Sequence, residues 1–203
     1  MHKPLFVTGI GTGIGKTLIS AILVEKLKAD YWKPVQSGDL DDSDTLKVQS
    51  LVSNSASVYH PETYRLTQPY SPHKSAALDG IVIDETAFVL PQTNNRLIIE
   101  GAGGLMVPLN DHFLMIDLIK QLNAEVILVS QNYLGSINHT LLSAEALSNR
   151  DIPVKGILFN GEENPSTEDF IKNYTNLAYL GHIPAFEKVT KETIAKAGAL
   201  ISL

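Results

Sequence analysis

A glycine-rich segment with the sequence GIGTGIGKT, from Gly9 to Thr17, constrains the fold of this chain more than any other stretch. Its glycines allow successive backbone N–H groups to turn inward around a polyphosphate. Lys16 then supplies a positive charge, and Thr17 supplies a hydroxyl ligand for Mg²⁺. A helix that begins near Lys16 directs the positive end of its dipole at the same anion. The segment therefore predicts a phosphate-binding loop between a strand and a helix.

The loop is one residue longer than the common G-x-x-x-x-G-K-[ST] form, because Ile10 occupies the position of the first glycine and Gly9 stands one residue earlier. The dinucleotide pattern G-x-G-x-x-G fails in both registers, since Ile14 and Lys16 stand where its third glycine is needed. A glycine-rich turn without a ligand is the alternative interpretation. Packing alone does not explain Gly-Lys-Thr at such a turn, so we favour a nucleotide site.

Composition limits the other classes of function. The chain has 203 residues, of which 44% are hydrophobic, and we expect one globular domain, residues 1–203. No apolar run reaches the ~18 residues of a membrane span, and residues 1–4 lack a signal-peptide pattern. We therefore expect a cytoplasmic protein without a membrane partner. The absence of cysteine excludes thiolate catalysis, and a net charge of -6 argues against extended binding to nucleic acid.

Apolar runs alternate with helical patterns along most of the chain. The predicted strands cover about residues 4–8, 31–35, 96–100, 125–130, 154–159 and 177–180. The predicted helices cover about residues 16–29, 44–52, 75–78, 84–90, 136–148, 167–174 and 191–199. Residues 53–72 show no stable periodicity, and an irregular stretch of this length is uncommon unless it is functional. The alternation predicts an α/β fold, a doubly wound, mostly parallel sheet flanked by helices, of the P-loop NTPase type.

Two acids are candidate metal ligands beside the loop. Glu100 ends a buried strand, and in parallel sheets ligands gather at the carboxyl ends of the strands. Asp44 follows Ser43, a plausible helix N-cap. Together with Thr17 they form a set of hard oxygen ligands suited to Mg²⁺. The alternatives are an acid that caps a glycine turn for Glu100 and a solvated acidic loop for Asp44.

Lys33 is a second candidate cation, because it lies at the end of the strand that follows the first helix and immediately precedes Pro34. The proline restrains Lys33 to an extended conformation. A phosphoryl transfer gathers negative charge between donor and acceptor and would benefit from both Lys16 and Lys33. The alternative is a lysine whose apolar stem covers an edge strand.

Several motifs occur together in an order that resembles the dethiobiotin synthetases. They are the loop at 9–17, KPVQSG at 33–38, Ser43-Asp44, Pro72-His73, EGAGG at 100–104, LGSINH at 134–139 and Asn160. The resemblance covers nearly the whole chain, and the shared order is more specific than any single motif.

The resemblance implies an enzyme that closes a ureido ring on 7,8-diaminononanoate, with CO₂ or bicarbonate, ATP as cosubstrate and Mg²⁺ as cofactor. One substrate amine becomes a carbamate, the carbamate oxygen attacks the γ-phosphate, and the second amine displaces phosphate. It also implies a homodimer in which the first turn of the helix from Ser136 binds the substrate carboxylate of the partner's site.

The resemblance also implies a role for each candidate site residue. The catalytic residues are Lys16, Lys33, Thr12 and Ser37, and the metal ligands are Thr17, Asp44 and Glu100. The nucleotide-binding residues are Gly13, Ile14, Gly15, Lys16, Thr17, Leu18, Asn160 and Pro184. The substrate-binding residues are Ser37, Gly104, Ser136 and Asn138. Asn160 resembles the adenine reader of the family, because its amide offers a donor and an acceptor, although an ordinary turn asparagine is the alternative.

The sequence leaves the nucleotide preference and two alternative functions open. Members of the family commonly carry a glutamate where this chain has Gly13, and the plain segment around Pro184 leaves the nucleotide preference undecided. A partitioning or cell-division ATPase switch shares a similar loop, but its signature lysine is replaced here by Gly11. A related carboxylate-activating ligase is the other alternative.

Overall fold

Nine strands form two parallel sheets in the computed structural model, which describes residues 3–203. The strands are β1 (Leu5–Gly9), β2 (Asp30–Trp32), β3 (Val35–Ser37), β4 (Tyr59–His60), β5 (Tyr64–Leu66), β6 (Leu97–Gly104), β7 (Glu125–Gln131), β8 (Val154–Gly161) and β9 (Tyr179–Pro184). Seven of them form the main sheet in the order β4-β2-β6-β1-β7-β8-β9, and every neighbouring pair is parallel. Strands β3 and β5 pair separately.

Seven helices connect and cover the strands. They are α1 (Lys16–Leu27), α2 (Asp44–Leu51), α3 (Pro72–Leu78), α4 (Met115–Gln121), α5 (Ser136–Ser148), α6 (Pro165–Thr175) and α7 (Lys191–Ala197). Single 3₁₀ turns lie at Leu40–Asp42, Glu85–Ala87 and Gly198–Leu200. Within residues 3–203, none of the helices is both long and apolar enough to cross a membrane.

The main sheet is buried on both faces, and its strands alternate between two cores. Leu5 and Val7 of β1 pack into one core with apolar residues of α1 and α7, whereas Phe6 points into the other core with residues of α4 and α6. Buried parallel strands read as continuous apolar runs because both faces are covered. The structure thus confirms the predicted doubly wound parallel α/β fold.

The predicted strand 31–35 is wrong in its extent, because β2 ends at Trp32 and β3 begins at Val35 in a different sheet. Pro34 lies between them and has no N–H to donate to a ladder. Its carbonyl accepts from the Tyr64 N–H, which starts the pairing of β3 with β5. Lys33 therefore stands where the chain leaves the main sheet.

Three further predictions needed correction. The predicted helix 84–90 is a single 3₁₀ turn, Glu85–Ala87, in which the Asp84 carboxylate accepts from the Thr86 N–H. Residues 53–72 contain β4 and β5, strands too short for a period-2 pattern to reveal. Helix α4 was not predicted, although Met115, Ile116, Leu118 and Ile119 are buried in the core.

Asp30 ties β2 to the segments beside it. It is buried, and its carboxylate accepts hydrogen bonds from the Val58 N–H, the Thr93 hydroxyl and the Asn95 amide. Burial acts to raise the pKa of Asp30, but these hydrogen bonds outweigh it and the pKa is lowered. Asp30 thus contributes stability at pH values above its ordinary pKa, and this contribution is lost as pH falls through the lowered value.

We expect Asp30→Asn to lower the free energy of unfolding by about 1–3 kcal/mol at pH 7, because an NH₂ group replaces an oxygen that accepts hydrogen bonds. Urea unfolding followed by circular dichroism measures the loss, with the exposed Asp111→Asn as control. The difference between wild type and Asp30→Asn should shrink as the pH falls below about 4, because the unfolded chain then takes up a proton that folded Asp30 accepts only at its lower pKa. A difference that is absent at pH 7, or grows in acid, would contradict this role.

Candidate active site

The phosphate-binding loop lies between β1 and α1, at the carboxyl edge of the main sheet. Gly15 immediately precedes α1 with a φ of 91°, a conformation that glycine adopts readily. A Cβ at Gly15 would also lie 2.2 Å from the Asn160 amide nitrogen. The Lys16 ammonium donates to the Gly11 carbonyl over 2.8 Å, so it points back across the loop. The loop therefore has the shape that the sequence predicted, and glycine is required at Gly15.

The predicted metal ligands and Lys33 converge in one partly buried cluster beside the loop. The Lys33 ammonium lies 2.5 Å from an Asp44 carboxylate oxygen and 3.2 Å from Glu100 Oε1. The Thr17 hydroxyl lies 3.1 Å from Asp44 Oδ1 and 2.9 Å from Glu100 Oε1. Lys33 and Glu100 are only 4% and 1% exposed. The four side chains come from α1, α2, β6 and the end of β2, so the fold itself assembles the cluster.

The charges in this cluster are mutually dependent. Burial acts to lower the pKa of Lys33, but Glu100 and Asp44 outweigh it and the pKa is raised. Burial acts to raise the pKa of Asp44, but Lys33 outweighs it and the pKa is lowered. Burial and the nearby Lys33 lower the pKa of Lys16 to about 8. Two ammonium groups therefore lie close enough to influence each other, and both face the space above the loop.

The oxygen atoms of Thr17, Asp44 and Glu100 fit a magnesium ion. One hydroxyl and two carboxylates form a hard oxygen set of the kind that Mg²⁺ prefers, and the same carboxylates pair with the Lys33 ammonium. Within residues 3–203, no cluster of three or more His, Cys, Asp or Glu side chains could hold a metal ion. A Mg²⁺ ion here would complete its shell with water and phosphate oxygens, as is usual at nucleotide sites.

A cleft of about 660 Å³ opens over the loop and the cluster. Thr12, Lys16, Lys33 and Glu100 line it, as predicted, and so does Ser37, whose hydroxyl is buried without a hydrogen-bond partner. The segment from Pro69 to Pro72 forms part of its wall. This segment belongs to the stretch without periodicity, which indicates that the stretch contributes to the site. Its volume lies in the usual range of small-molecule sites.

Tyr31 is a residue of this site that the sequence did not reveal. Its ring is fully buried, and its hydroxyl donates to Glu100 Oε2 over 2.9 Å, while Glu100 Oε1 faces Thr17 and Lys33. Burial and the Glu100 charge raise the pKa of Tyr31 well above its ordinary value, so the hydroxyl stays a donor. Tyr31 thereby fixes which oxygen of Glu100 turns to the loop. No sequence signal could have found this contact, because Tyr31 stands in an ordinary apolar strand.

The predicted base-binding residues lie together at the other end of the loop. Asn160 is buried, and its amide donates to the Ile14 carbonyl over 3.0 Å. The register of β8 and β9 places Gly161 opposite Pro184, so Asn160 and Pro184 end neighbouring strands. Asn160 keeps its amide oxygen and a second N–H for a ligand. Leu18 is half-buried in the first turn of α1, directly after Thr17.

The predicted substrate residues divide into two groups. Gly104 ends β6 against the loop, where a Cβ would lie 3.4 Å from the Gly9 carbonyl oxygen. Ser136 and Asn138 open α5, and neither is among the residues that line the cleft. Asn138 is exposed, whereas the Ser136 hydroxyl is buried without a hydrogen-bond partner. The cleft and the start of α5 are therefore separate features of one protomer.

Comparisons with known proteins assign the chain to a family. A protein of Cytophaga hutchinsonii described as ATP-dependent dethiobiotin synthetase BioD is 52% identical over 193 residues, which cover 95% of this chain and 93% of that protein. A protein of Christiangramia forsetii with the same description is 52% identical over 200 residues, covering 97% and 96%. The chain belongs to the ATP-dependent dethiobiotin synthetase family.

Membership of the dethiobiotin synthetase family confirms the resemblance and the predicted class of enzyme, an ATP-dependent ligase of biotin biosynthesis. A Rhodopseudomonas palustris member is 45% identical over 199 residues, which cover 98% of this chain and 94% of that protein. A broader family model, described as an AAA domain, matches residues 3–193.

Solved structures with a similar fold are ATPases of the partitioning and cell-division class. MinD of Pyrococcus horikoshii, complexed with Mg-ADP, has a TM-score of 0.59 at 13% identity, covering 97% of this chain and 86% of that one. A ParA family ATPase of Chlorobium tepidum has a TM-score of 0.58 at 13% identity, covering 98% and 99%. At such identities the likeness shows the P-loop fold alone, so it does not favour a switch over the dethiobiotin synthetase family.

We expect Tyr31→Phe to lower the free energy of unfolding by about 1–3 kcal/mol, because Glu100 Oε2 loses its donor inside the protein. A double-mutant cycle with Glu100→Gln, followed by urea unfolding, isolates the contact from the loss of the hydroxyl itself. Tyr59→Phe is the matched control, since its ring packs against that of Tyr31 with centroids 6.4 Å apart. A coupling energy near zero between Tyr31 and Glu100 would show that the hydroxyl does not hold the carboxylate.

Proposed function

We propose that this protein converts 7,8-diaminononanoate, CO₂ and ATP into dethiobiotin, ADP and phosphate, with Mg²⁺ as the cofactor. The observation that carries the proposal is the convergence of Lys16 and Lys33 with two carboxylates on one cleft. The identity of 52% to proteins described as ATP-dependent dethiobiotin synthetases supports the same reaction.

The proposed reaction has three chemical steps. One substrate amine attacks CO₂, forms a C–N bond and loses a proton, which gives a carbamate. A carbamate oxygen attacks the γ-phosphorus, and the bond to the ADP oxygen breaks, which gives a carbamic–phosphoric anhydride. The second amine attacks the carbonyl carbon, phosphate leaves, and the nitrogen loses a proton as the five-membered cyclic urea closes. Each step needs aligned partners and neutralised charge more than a covalent intermediate on the protein.

The residues on the cleft would act mainly by charge and by position. Lys16 and Lys33 would flank the transferred phosphoryl group, where negative charge accumulates between the carbamate and ADP. Ser37, whose buried hydroxyl is unpartnered in this structure, and Thr12 across the cleft would hydrogen-bond the carbamate or the diamine. Thr17, Asp44 and Glu100 would hold Mg²⁺, which when bound neutralises charge on the phosphate oxygens.

The nucleotide would lie along the loop toward Asn160. Backbone N–H groups of residues 13–18 would bind its phosphates at the start of α1. The free amide oxygen and N–H of Asn160 match the N6/N7 edge of adenine, and Pro184 lies at the end of the neighbouring strand. Because Gly13 has no side chain, only its backbone is available to the phosphates.

The start of α5 would complete the site of a second protomer. Its first turn offers free N–H groups, Ser136 and Asn138, a suitable site for the substrate carboxylate. Beside it, the Leu134 side chain is fully exposed, as expected of a surface that another protein covers. We therefore propose a homodimer with each substrate site at the interface.

The decisive assay incubates purified protein with diaminononanoate, bicarbonate and ATP-Mg²⁺ and follows the cyclic urea by mass spectrometry. We expect one dethiobiotin for each phosphate released. ATP hydrolysis without dethiobiotin, accelerated by DNA or liposomes, would instead support a partitioning-type switch. A product that carries an acyl phosphate or amide in place of the cyclic urea would indicate a related ligase.

We expect Lys33→Ala to slow product formation roughly a hundredfold, because a positive charge is lost from the developing transition state. Nucleotide binding should stay nearly intact, because Lys16 and the loop remain. Isothermal titration with ATP and steady-state turnover separate the two effects, and Lys47→Ala is the control, since Lys47 pairs with Asp42 at the surface. An unchanged turnover number would show that Lys33 is not part of the reaction.

A mixing experiment tests the shared site of the proposed dimer. Lys16→Ala disables the loop, and Asn138→Asp places a negative charge against the substrate carboxylate. If the site is shared, equal amounts of the two inactive proteins, mixed and allowed to exchange subunits, should recover about one quarter of wild-type activity, because half the dimers are mixed and each has one intact site.

Lys16→Ala mixed with Lys33→Ala is the matched control for this experiment. Both changes affect the same side of the cleft, so no mixed dimer contains an intact site and no activity should return. Failure of the first mixture to recover activity, although native mass spectrometry detects mixed dimers, would contradict a site shared between protomers.

A further inference from the structure

A buried contact between a histidine and a carboxylate lies outside the cleft and joins β9 to α6. The His182 Nδ1 atom lies 3.1 Å from Glu168 Oε1, and the two side chains are only 6% and 8% exposed. Neither residue belongs to the reaction described above. Burying polar side chains is costly unless their hydrogen bonds compensate, so this contact calls for a structural reason.

The His182 ring contacts a different element at each of its nitrogen atoms. Nε2 lies within hydrogen-bond distance of the Gly161 carbonyl oxygen, at 2.9 Å, and Nδ1 lies 3.1 Å from Glu168 Oε1 without the geometry of a hydrogen bond. The ring therefore lies between a backbone carbonyl of β8 and the first turn of α6.

Glu168 extends this contact into the turn that follows β8. Its Oε1 atom accepts from the Asn132 amide over 2.7 Å and from the Asn164 N–H over 3.2 Å. The Asn132 amide also reaches the Glu162 carbonyl over 2.8 Å. The network thus ties the ends of β7, β8 and β9 to one another and fixes the path of the chain from Gly161 to Asn164.

This fixed turn directly adjoins the residues proposed to bind the nucleotide base. Asn160 immediately precedes Gly161, whose carbonyl accepts from His182, and Gly161 lies in register with Pro184. His182 itself stands two residues before Pro184 on β9. A shift of this turn would displace Asn160 and Pro184 together while leaving the loop at 9–17 in place.

We propose that the contact between His182 and Glu168 positions the base-binding edge formed by Asn160 and Pro184, and so sets the affinity for the nucleotide base. The pair touches neither the phosphates nor the reacting atoms, so both are positioning residues. The proposal rests on the proposed function in one respect, the location of the base beside Asn160.

The test compares His182→Gln and Glu168→Gln with Asp169→Asn. Glu168→Gln keeps the volume of the side chain and removes its charge. Asp169→Asn makes the same kind of change on the next residue of α6, where the carboxylate pairs with Lys172 at the surface. Thermal unfolding identifies variants that fold. The double variant His182→Gln/Glu168→Gln changes both members of the contact together, so its effect should be smaller than the product of the single effects.

Titrations with two ligands distinguish an effect on base binding from a general loss of binding. Isothermal titration measures ATP, which has a base, and inorganic triphosphate, which has none. We expect the single variants to bind ATP roughly tenfold more weakly, the order of magnitude of a hydrogen bond to a charged group. Binding of triphosphate and the turnover number at saturating ATP should stay unchanged, so the loss appears in KM for ATP alone, and Asp169→Asn should match wild type.

Three outcomes would overturn the inference. Folded variants with unchanged ATP affinity would show that the pair does not position the base-binding edge. Equal weakening of ATP and triphosphate would show a general structural role. A wild-type protein that binds triphosphate and ATP equally would mean that no base site exists beside Asn160. Wild-type protein that binds neither ligand would instead refute the proposed function itself, and with it the premise of this inference.

Discussion

The cluster of Lys33, Asp44 and Glu100 is the interaction on which the rest of the site depends. Lys33 and Glu100 are buried and Asp44 is half-buried; the two carboxylates raise the pKa of Lys33, and Lys33 lowers the pKa of Asp44. The carboxylates also hold the Thr17 hydroxyl, and Tyr31 fixes the orientation of Glu100 from behind. Removing Lys33 would leave two carboxylates beside each other without the cation that they share. The cluster therefore depends on all of its members for its charge balance and its geometry.

The order of strands in the main sheet explains why these groups meet. Strand β1 lies between β6 and β7, so the loop that follows β1 sits beside Glu100 on one side and near Asn160 on the other. The phosphates of a nucleotide would therefore occupy the middle of the edge, the base would lie toward β8 and β9, and the second substrate would lie toward β3. Fold neighbours at 13% identity share the sheet, which shows the fold but does not select a reaction.

Much of the fold and of the candidate site could be predicted from the sequence, and the features that were not predicted have physical causes in common. The loop could be recognised because its glycines and Lys16 form a local motif. Glu100 could be recognised because a carboxylate at the end of a buried strand is unusual. The doubly wound fold followed from apolar runs long enough to show a period. The sequence did not predict helix α4, the short strands β4 and β5 or the break at Pro34, because these features depend on contacts between distant segments. It did not predict the contacts of Tyr31 and His182 for the same reason, since their partners lie 69 and 14 residues away in sequence. The roles of the individual site residues stay predictions.

The central step of the proposed reaction is the transfer of the γ-phosphoryl group onto a carbamate oxygen. Oxygen-18 labelling tests this step most directly. Bicarbonate labelled at all its oxygens is supplied in a brief reaction, before exchange with water, and the released phosphate is examined by mass spectrometry. Transfer to the carbamate predicts that dethiobiotin forms together with phosphate that carries one oxygen from bicarbonate. Dethiobiotin formed alongside unlabelled phosphate, although the remaining bicarbonate keeps its label, would contradict it.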